Sequence, residues 1–409
     1  MNLFFRLSLR NIFRNRIRTA IALLAIATGC SALILNGGIV LNIFRELRND
    51  AIYGRYGHLQ IYKKGYAENH LRDPGRYLLS AKECEQILKL ARSNAEIVRA
   101  TRRREFSGLV VNKGSYIPFI GVGVEPENDS EFSRHDTLKD GKPLSLNETY
   151  TALAGLGLAN KLNGKPGDTL SIMTTTESGG LNSIHVRLQG VFEGGMKEFD
   201  DWTLKVPLPA LDQLLGENQT EKIVLLISRT EDVDAVQGKL EDAFRREGID
   251  AEVSSWRSLA LFHNQVVSLF GRELGIIHLI VGAMVVLGIG NVLAMAIVER
   301  RTEIATVRAL GISSRSVVYL LMTESMMTGI IGAIAGIALG IGIARIVNVF
   351  GISYPSPPGS TRPFLGGADI VPGVIAEAAW TSMVATLVAA IFPIYRTVRR
   401  PIATLLRHG

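Results

Sequence analysis

The sequence predicts a membrane protein in which four transmembrane α-helices carry a large extracytoplasmic α+β domain, inserted between the first and second helices. Three observations lead there. Four apolar stretches, Thr19–Phe44, Leu274–Val298, Val317–Val349 and Ile370–Tyr395, each exceed the roughly 20 residues that cross a ~30 Å hydrocarbon core at 1.5 Å per residue. The region between the first two is polar, of mixed local pattern, and long enough to bury a core of its own. Arginines gather at particular ends of the apolar stretches, as they do where a loop stays on the cytoplasmic side.

The chain opens with residues 1–18, where Phe4, Leu7, Leu9, Ile12, Phe13 and Ile17 alternate with arginines at near-helical spacing. This predicts an amphipathic helix lying in the cytoplasmic face of the bilayer. The first span, 19–44, is read as a retained anchor and not as a cleaved signal, because its apolar run continues from Cys30 to Phe44. Cys30 and Cys84 are the two cysteines. One lies in a span and the other in the polar domain, so no disulfide is expected.

The extracytoplasmic domain, 45–272, reads as α+β because its strands and helices mix without regular alternation. Strands are expected at 57–62, 97–101, 106–111, 116–124, 169–173, 184–192, 203–206, 223–227 and 251–254. Helices are expected at 80–92, 153–162, 208–215 and 233–247. Ser80 followed by Glu83 forms a capping-box pattern, and Gly167-Asp168 marks a turn. A last helix begins at Trp256 and is expected to run unbroken into the second span, 273–298, as a stalk.

A charged segment, 299–316, separates the second span from the third, 317–349. A short outer loop, 350–369, contains the proline-rich Tyr354–Gly359, which forbids helix. The fourth span, 370–395, leads into a basic tail, 396–409. The formal net charge is +7, and its placement decides its meaning. Basic residues cluster before the first span, at Arg300, Arg301, Arg308 and Arg315, and at Arg396, Arg399, Arg400 and Arg407. These are orientation signals beside anionic lipid, which place both termini and the 299–316 loop in the cytoplasm and the large domain outside. Nucleic acid is not an expected partner.

Catalytic motifs are missing from these residues. Gly141-Lys142 and Gly164-Lys165 are each followed by Pro, so neither is a phosphate loop. There is no H-E-x-x-H, G-x-S-x-G or C-x-x-C, and the seven histidines are scattered. The chain is not expected to be an enzyme, nor to bind a metal or cofactor directly.

Within the charged segment, Ile304, Val307, Leu310 and Ile312 form an apolar stripe, with Arg300, Arg301, Glu303 and Arg308 supplying charge and Gly311 a natural helix stop. Such a helix suits a groove on a partner protein. The run Ile297–Gly311, IVERRTEIATVRALG, resembles the coupling segment of the FtsX-like permease family. Glu299-Arg300 and Arg308-Ala309-Leu310-Gly311 match its pattern. Thr302-Glu303-Ile304 departs from the family's Arg-Glu-Ile, with Arg301 one place early. Glu324, the series Gly332, Gly336 and Gly340, and Pro393, Arg396, Arg400-Pro401 and Leu406-Arg407 also fit. Leu153–Ile172 is similar to the family's small-helix and Gly-Asp-strand passage. Gly57–Tyr66 is most similar to the LolC/LolE lipoprotein-releasing branch.

The resemblance implies the permease subunit of a mechanotransmission (type VII) ABC transporter. Two permease copies or paralogues would pair, and a cytosolic ABC ATPase holding ATP and Mg²⁺ would grip Glu299, Arg300, Arg301, Glu303, Ile304, Val307, Arg308, Leu310 and Gly311 on each. Lipoprotein release from the inner membrane is the first functional expectation, with a periplasmic carrier as a further partner. A MacB-like efflux permease working with an adaptor and an FtsX-like signalling device acting on a cell-wall hydrolase are the alternatives.

Gly332, Gly336 and Gly340 share one helix face and permit close helix approach, either across a seam to a second copy or within the chain. Glu324, Arg345 and Glu377 are charges inside spans, which are costly there. Arg345 and Glu377 are expected to pair. Leu33, Ile34, Ile39, Val285, Val286 and Ile289 are candidates to line an acyl-chain gap between the first and second spans, or else to face lipid.

Overall fold

The structure is a computed structural model that describes residues 16–70, 72, 75–176, 179–216, 218–354 and 364–399. The amphipathic helix expected at 1–18 lies largely outside them, as do most of the proline-rich turn and the basic tail. The chain divides into two compact units, one of long helices and one centred on a large sheet.

The sheet unit begins at Arg45, within the last turns of helix α1 (Arg16–Ala51). In chain order it contains β1 (Leu59–Lys63), α2 (Ala81–Ser93), β2 (Ile97–Asn112), β3 (Ser115–Val124), α3 (Pro126–Phe132), β4 (Thr137–Gly141), β5 (Thr151–Gly155), α4 (Leu156–Lys161), β6 (Thr169–Thr175), β7 (Leu181–Glu193), β8 (Thr203–Pro207), α5 (Leu208–Leu215), β9 (Lys222–Ile227), α6 (Val233–Glu247), β10 (Ala251–Ser255) and α7 (Trp256–Leu259). Ten strands are ordered β10-β1-β9-β2-β3-β8-β5-β7-β4, with β6 pairing β2 and β7.

β2 organises this unit. Its first half pairs with β9 and its second half with β3 and β6. Two apolar cores lie along it. One gathers Leu59, Ile61, Ile87, Leu225, Val236 and Phe244. The other gathers Val110, Leu158, Leu170, Leu188, Val206 and Leu211. Each fully buried side chain of this kind contributes roughly 1.5–3 kcal/mol.

The run Arg102-Arg103-Arg104-Glu105 suggests a break between two strands, yet the backbone stays extended through it. Its charges are matched sideways. Arg102 meets Glu125 at 2.7 Å, Arg103 meets Asp129 at 3.2 Å, and Glu105 meets Lys222. Asp129 also lies 3.6 Å from Lys205, which is 2.7 Å from Asp136. Burial pushes the Asp129 carboxyl up. The cations Lys205 and Arg103 more than reverse this and leave it below the usual carboxylate range.

The helix expected at 153–162 is instead β5 followed by the short α4. All five residues of β5 are buried, between parallel β7 and antiparallel β8. The ladder on both sides overrides the local helical preference of Ala and Leu. At Ser80 the capping box forms as read, with Glu83 and Ser80 bonded reciprocally. The stalk does not run unbroken. Ala260 leaves the helical region (φ −84°, ψ 65°) and separates α7 from the next helix.

The helical unit comprises α1, α8 (Leu261–Glu299), α9 (Arg301–Ala309), α10 (Ser314–Phe350) and α11 (Pro372–Val398), with β11 (Ile352–Tyr354) and β12 (Phe364–Gly366) paired between the last two helices. α1, α8, α10 and α11 are each long and apolar enough to cross a membrane.

Close packing joins α1 to α10. A Cβ at Gly332 would lie 2.7 Å from Ile26, one at Gly336 2.7 Å from the Cys30 Cβ, and one at Gly340 3.2 Å from Ile34. The glycine face is therefore filled within the chain, and the reading of it as a seam to a second copy is corrected. The first helix occupies it because only hydrogen atoms project there.

The gap expected between the first two spans is closed in the same way. A Cβ at Gly29 would lie 2.5 Å from Val285. Leu33, Ile34, Val285 and Ile289 are buried among the helices.

Candidate coupling site

Helix α9 sits between the ends of α8 and α10, and apolar and ionic contacts hold it there. Ile304 enters a cluster with Ile297 of α8, Val317 and Leu321 of α10, and Ala390 and Ile394 of α11. Ala305 beside it is fully buried. Burying these two residues at adjacent positions sets the roll of the helix.

Arg300 supplies the ionic contact from the residue that precedes α9. Its Nη1 donates to both carboxylate oxygens of Glu324 at 3.1 Å, and its Nε donates to Glu303 at 3.3 Å. Arg300 and Glu324 are only 16% and 19% exposed. One guanidinium thus joins the end of α8, the first turn of α9 and the third turn of α10. The planar fork of arginine suits this; a lysine ammonium could not hold the same geometry.

α9 ends in a Schellman motif. Gly311, at φ +93°, donates to the Arg308 carbonyl, and Ile312 donates to that of Val307. A side chain at Gly311 would be strained in this left-handed conformation. Ser313 then caps α10 through Ser316 N–H at 3.2 Å.

The predicted apolar stripe is split. Ile304 points inward and Val307 is half-buried, whereas Leu310 is 79% exposed and Ile312 is exposed beside it. Glu299 and Glu303 lie on the exposed surface, each with an interaction of its own. Arg308 is half-buried, and Arg301 opens the helix. The outward surface therefore combines carboxylates near the start of α9 with an apolar tip, Leu310–Ile312, at its end.

The other charges on the long apolar helices do not meet as expected. Glu377 lies 3.6 Å from His278 of α8, and no ion pair joins it to Arg345 among the described residues. The reason is register. Asn348 exchanges hydrogen bonds with Ala368, and Gly329 sits on Thr386. These contacts set Arg345 level with about residue 370, roughly two turns or ~10 Å from Glu377.

Sequence reasoning also missed Asn42 and Asn348. Asn348 binds both backbone groups of Ala368. Asn42 accepts from Gly367 N–H at 3.4 Å and reaches Asp369 at 3.5 Å. Together they pin the segment before α11 to the ends of α1 and α10. An asparagine near the end of an apolar run was the available signal.

Residues 19–243, more than half of the chain, match the MacB-like periplasmic core domain. Residues 275–402 match the FtsX-like permease C-terminal domain. This chain belongs to the FtsX-like permeases that carry a MacB-like periplasmic core.

The permease is 23% identical to an uncharacterized ABC transporter permease of Methanocaldococcus jannaschii, over 81% of this chain and 83% of that one. It is 22% identical to the lipoprotein-releasing system transmembrane protein LolC of Neisseria meningitidis, over 99% of this chain and 97% of LolC. It is 24% identical to the macrolide export ATP-binding/permease protein MacB of Bdellovibrio bacteriovorus, over 49% of this chain and 32% of MacB. The permease is thus an ABC transporter permease of the MacB/LolC/LolE type, a membrane protein whose relatives work with an ATPase.

Proposed function

We propose that this permease converts ATP hydrolysis by a separate cytosolic ATPase into movement of its periplasmic domain, and that it serves lipoprotein release from the inner membrane. One observation carries the coupling reading. α9 is held on one side by Ile304 and Arg300 while its other side offers carboxylates and the exposed Leu310–Ile312 tip. A lever needs both a fixed face and a free one. Exposed apolar residues beside charge are the composition of a partner surface.

In this reading both termini and α9 face the cytoplasm, the basic clusters fix that orientation, and two permease copies or paralogues pair. ATP and Mg²⁺ belong to the ATPase. The lipoprotein assignment is supported by a match running nearly the whole length of both this chain and LolC. Macrolide-type efflux is the second reading, favoured by the MacB-like core.

Isolation of the native complex and identification of every co-purifying chain tests both levels. An ATPase with a second permease supports lipoprotein release, and an adaptor protein supports efflux. Loss of the ATPase on charge reversal at Glu299, Arg301 and Glu303 is expected. Unchanged association, or labelling of residues 300–316 from outside the cell, overturns the coupling reading.

A further inference from the structure

A groove of about 620 Å³ runs between α8 and α11. Its walls are apolar, from Gly282, Ala283 and Val286 on one helix and Val384 and Val388 on the other. At one end stand three polar or aromatic groups, His278, Glu377 and Trp380. Glu377 is mostly exposed, and Trp380 is 63% exposed. Glu377, Val384 and Val388 recur at helical spacing, so the carboxylate heads the same face that forms the wall.

The hydrogen bonding at this end is specific. His278 Nδ1 lies 2.7 Å from the Leu274 carbonyl. A carbonyl only accepts, so Nδ1 carries the proton and donates. The ring's Nε2 lies 3.6 Å from Glu377 Oε1. Glu377 is mostly exposed, so its carboxylate keeps acceptor capacity beyond that contact and suits a cation with several N–H donors. A primary ammonium has three. The neighbouring Trp380 adds an aromatic face of the kind that attracts such a cation.

The length of the groove argues for what lies behind the cation. From Glu377 to Val388 the helix rises about 16 Å, close to half of a ~30 Å hydrocarbon core. We propose that this groove holds one phospholipid of the leaflet opposite α9, its primary ammonium headgroup on the exposed Glu377 carboxylate and an acyl chain along Val384 and Val388. Only the naming of that leaflet as the outer one rests on the orientation proposed above. The lipid would cover a face of the α8–α11 pair that carries a charged group at its rim, and would tie the two helices at the end remote from α9.

The test is lipid retention by the full-length chain. The protein is reconstituted in bilayers of equal parts phosphatidylethanolamine, phosphatidylcholine and phosphatidylglycerol, extracted, and its bound lipids are weighed by native mass spectrometry. Phosphatidylethanolamine is expected to be retained about tenfold over both others, the worth of one charge-assisted hydrogen bond. The choline lipid carries charge without N–H donors and separates donor geometry from charge alone.

Glu377→Gln is expected to abolish the preference. Val384→Trp, which fills the groove without touching the charge, is expected to shed lipid of every headgroup. Equal retention of the three lipids, a preference that survives Glu377→Gln, retention in Val384→Trp, or a cross-link between position 384 of two copies overturns the proposal. Co-purification of an ATPase from the same preparation reports on the coupling reading separately, so failure of one is distinguishable from failure of the other.

Discussion

Arg300 places a single guanidinium nitrogen 3.1 Å from both carboxylate oxygens of Glu324, joining the start of the charged helix to the third turn of the span that follows it. The pair is largely shielded from solvent, so each partner leaves a costly charge when the other is removed. It ties α9 to α10 alongside the Ile304 cluster.

That pair yields the first prediction. Arg300→Ala and Glu324→Ala are each expected to destabilise the helical unit, and the double mutant to lose less than their sum. The coupling should be about 1–3 kcal/mol in a double-mutant cycle. Thermal melts of the four proteins in one detergent measure it, and additive losses contradict the pairing. If the lever reading holds, Arg300→Ala also lowers ATPase stimulation with the ATPase still bound.

The exposed tip gives a second prediction with the opposite character. Leu310→Asp combined with Ile312→Asp should leave the melt unchanged, because neither residue is buried. Association with the ATPase should fall at least about tenfold, the loss expected of an apolar anchor at an interface. Titration binding of the purified partner reads this directly.

Glycines on α10 provide a third. Gly336→Leu would drive a side chain into Cys30 and the Ala27 backbone, where even a Cβ would stand 2.7 and 2.9 Å away. Overpacking of this kind costs about 1–3 kcal/mol or more, and the yield of folded protein should drop. Gly342→Leu faces open space and should be tolerated. Comparable behaviour of the two variants on size-exclusion chromatography would contradict the packing of α1 on α10.

A fourth prediction concerns pH and the sheet unit. His58 is fully buried, accepts the Ile227 N–H at Nδ1 and meets Thr230 at Nε2. Burial, then the nearby Arg134 and Arg48, lower its pKa from 6.5 to about 4. Between those values the unfolded chain binds the extra proton and the folded one does not. Stability is therefore complete above about pH 6.5 and is lost as pH falls toward 4, by on the order of 3 kcal/mol. Denaturant melts across that window, repeated on His58→Gln, should show the slope and then its removal.

Much of this fold was legible in the chain. The four apolar runs, the Ser80–Glu83 capping box, α5 at 208–215 and α6 at 233–247 all follow from local chemistry that acts over one or two turns. The short charged helix α9 and its stop at Gly311 were legible for the same reason, since Gly311 and the mixture of charge and apolar residues before it sit within a dozen positions.

What failed were readings that needed a distant partner. Residues 151–155 became a strand because β7 and β8 flank them. Arg102–Glu105 stayed extended because Glu125, Asp129 and Lys222 meet the charges. Glu377 found His278 rather than Arg345 because the register of α10 against α11 cannot be counted from sequence.

The sequence by itself determined how many helices can cross a bilayer, where the polar domain is inserted and which short segment carries the charge, because length, hydropathy and capping are local quantities. Tertiary structure alone decided that the glycine face belongs to α1, that Arg300 turns inward to Glu324 while Leu310 turns out, and that a groove opens between α8 and α11. Each depends on the rotation and depth of one helix against another, and those are set by packing between residues far apart in the chain.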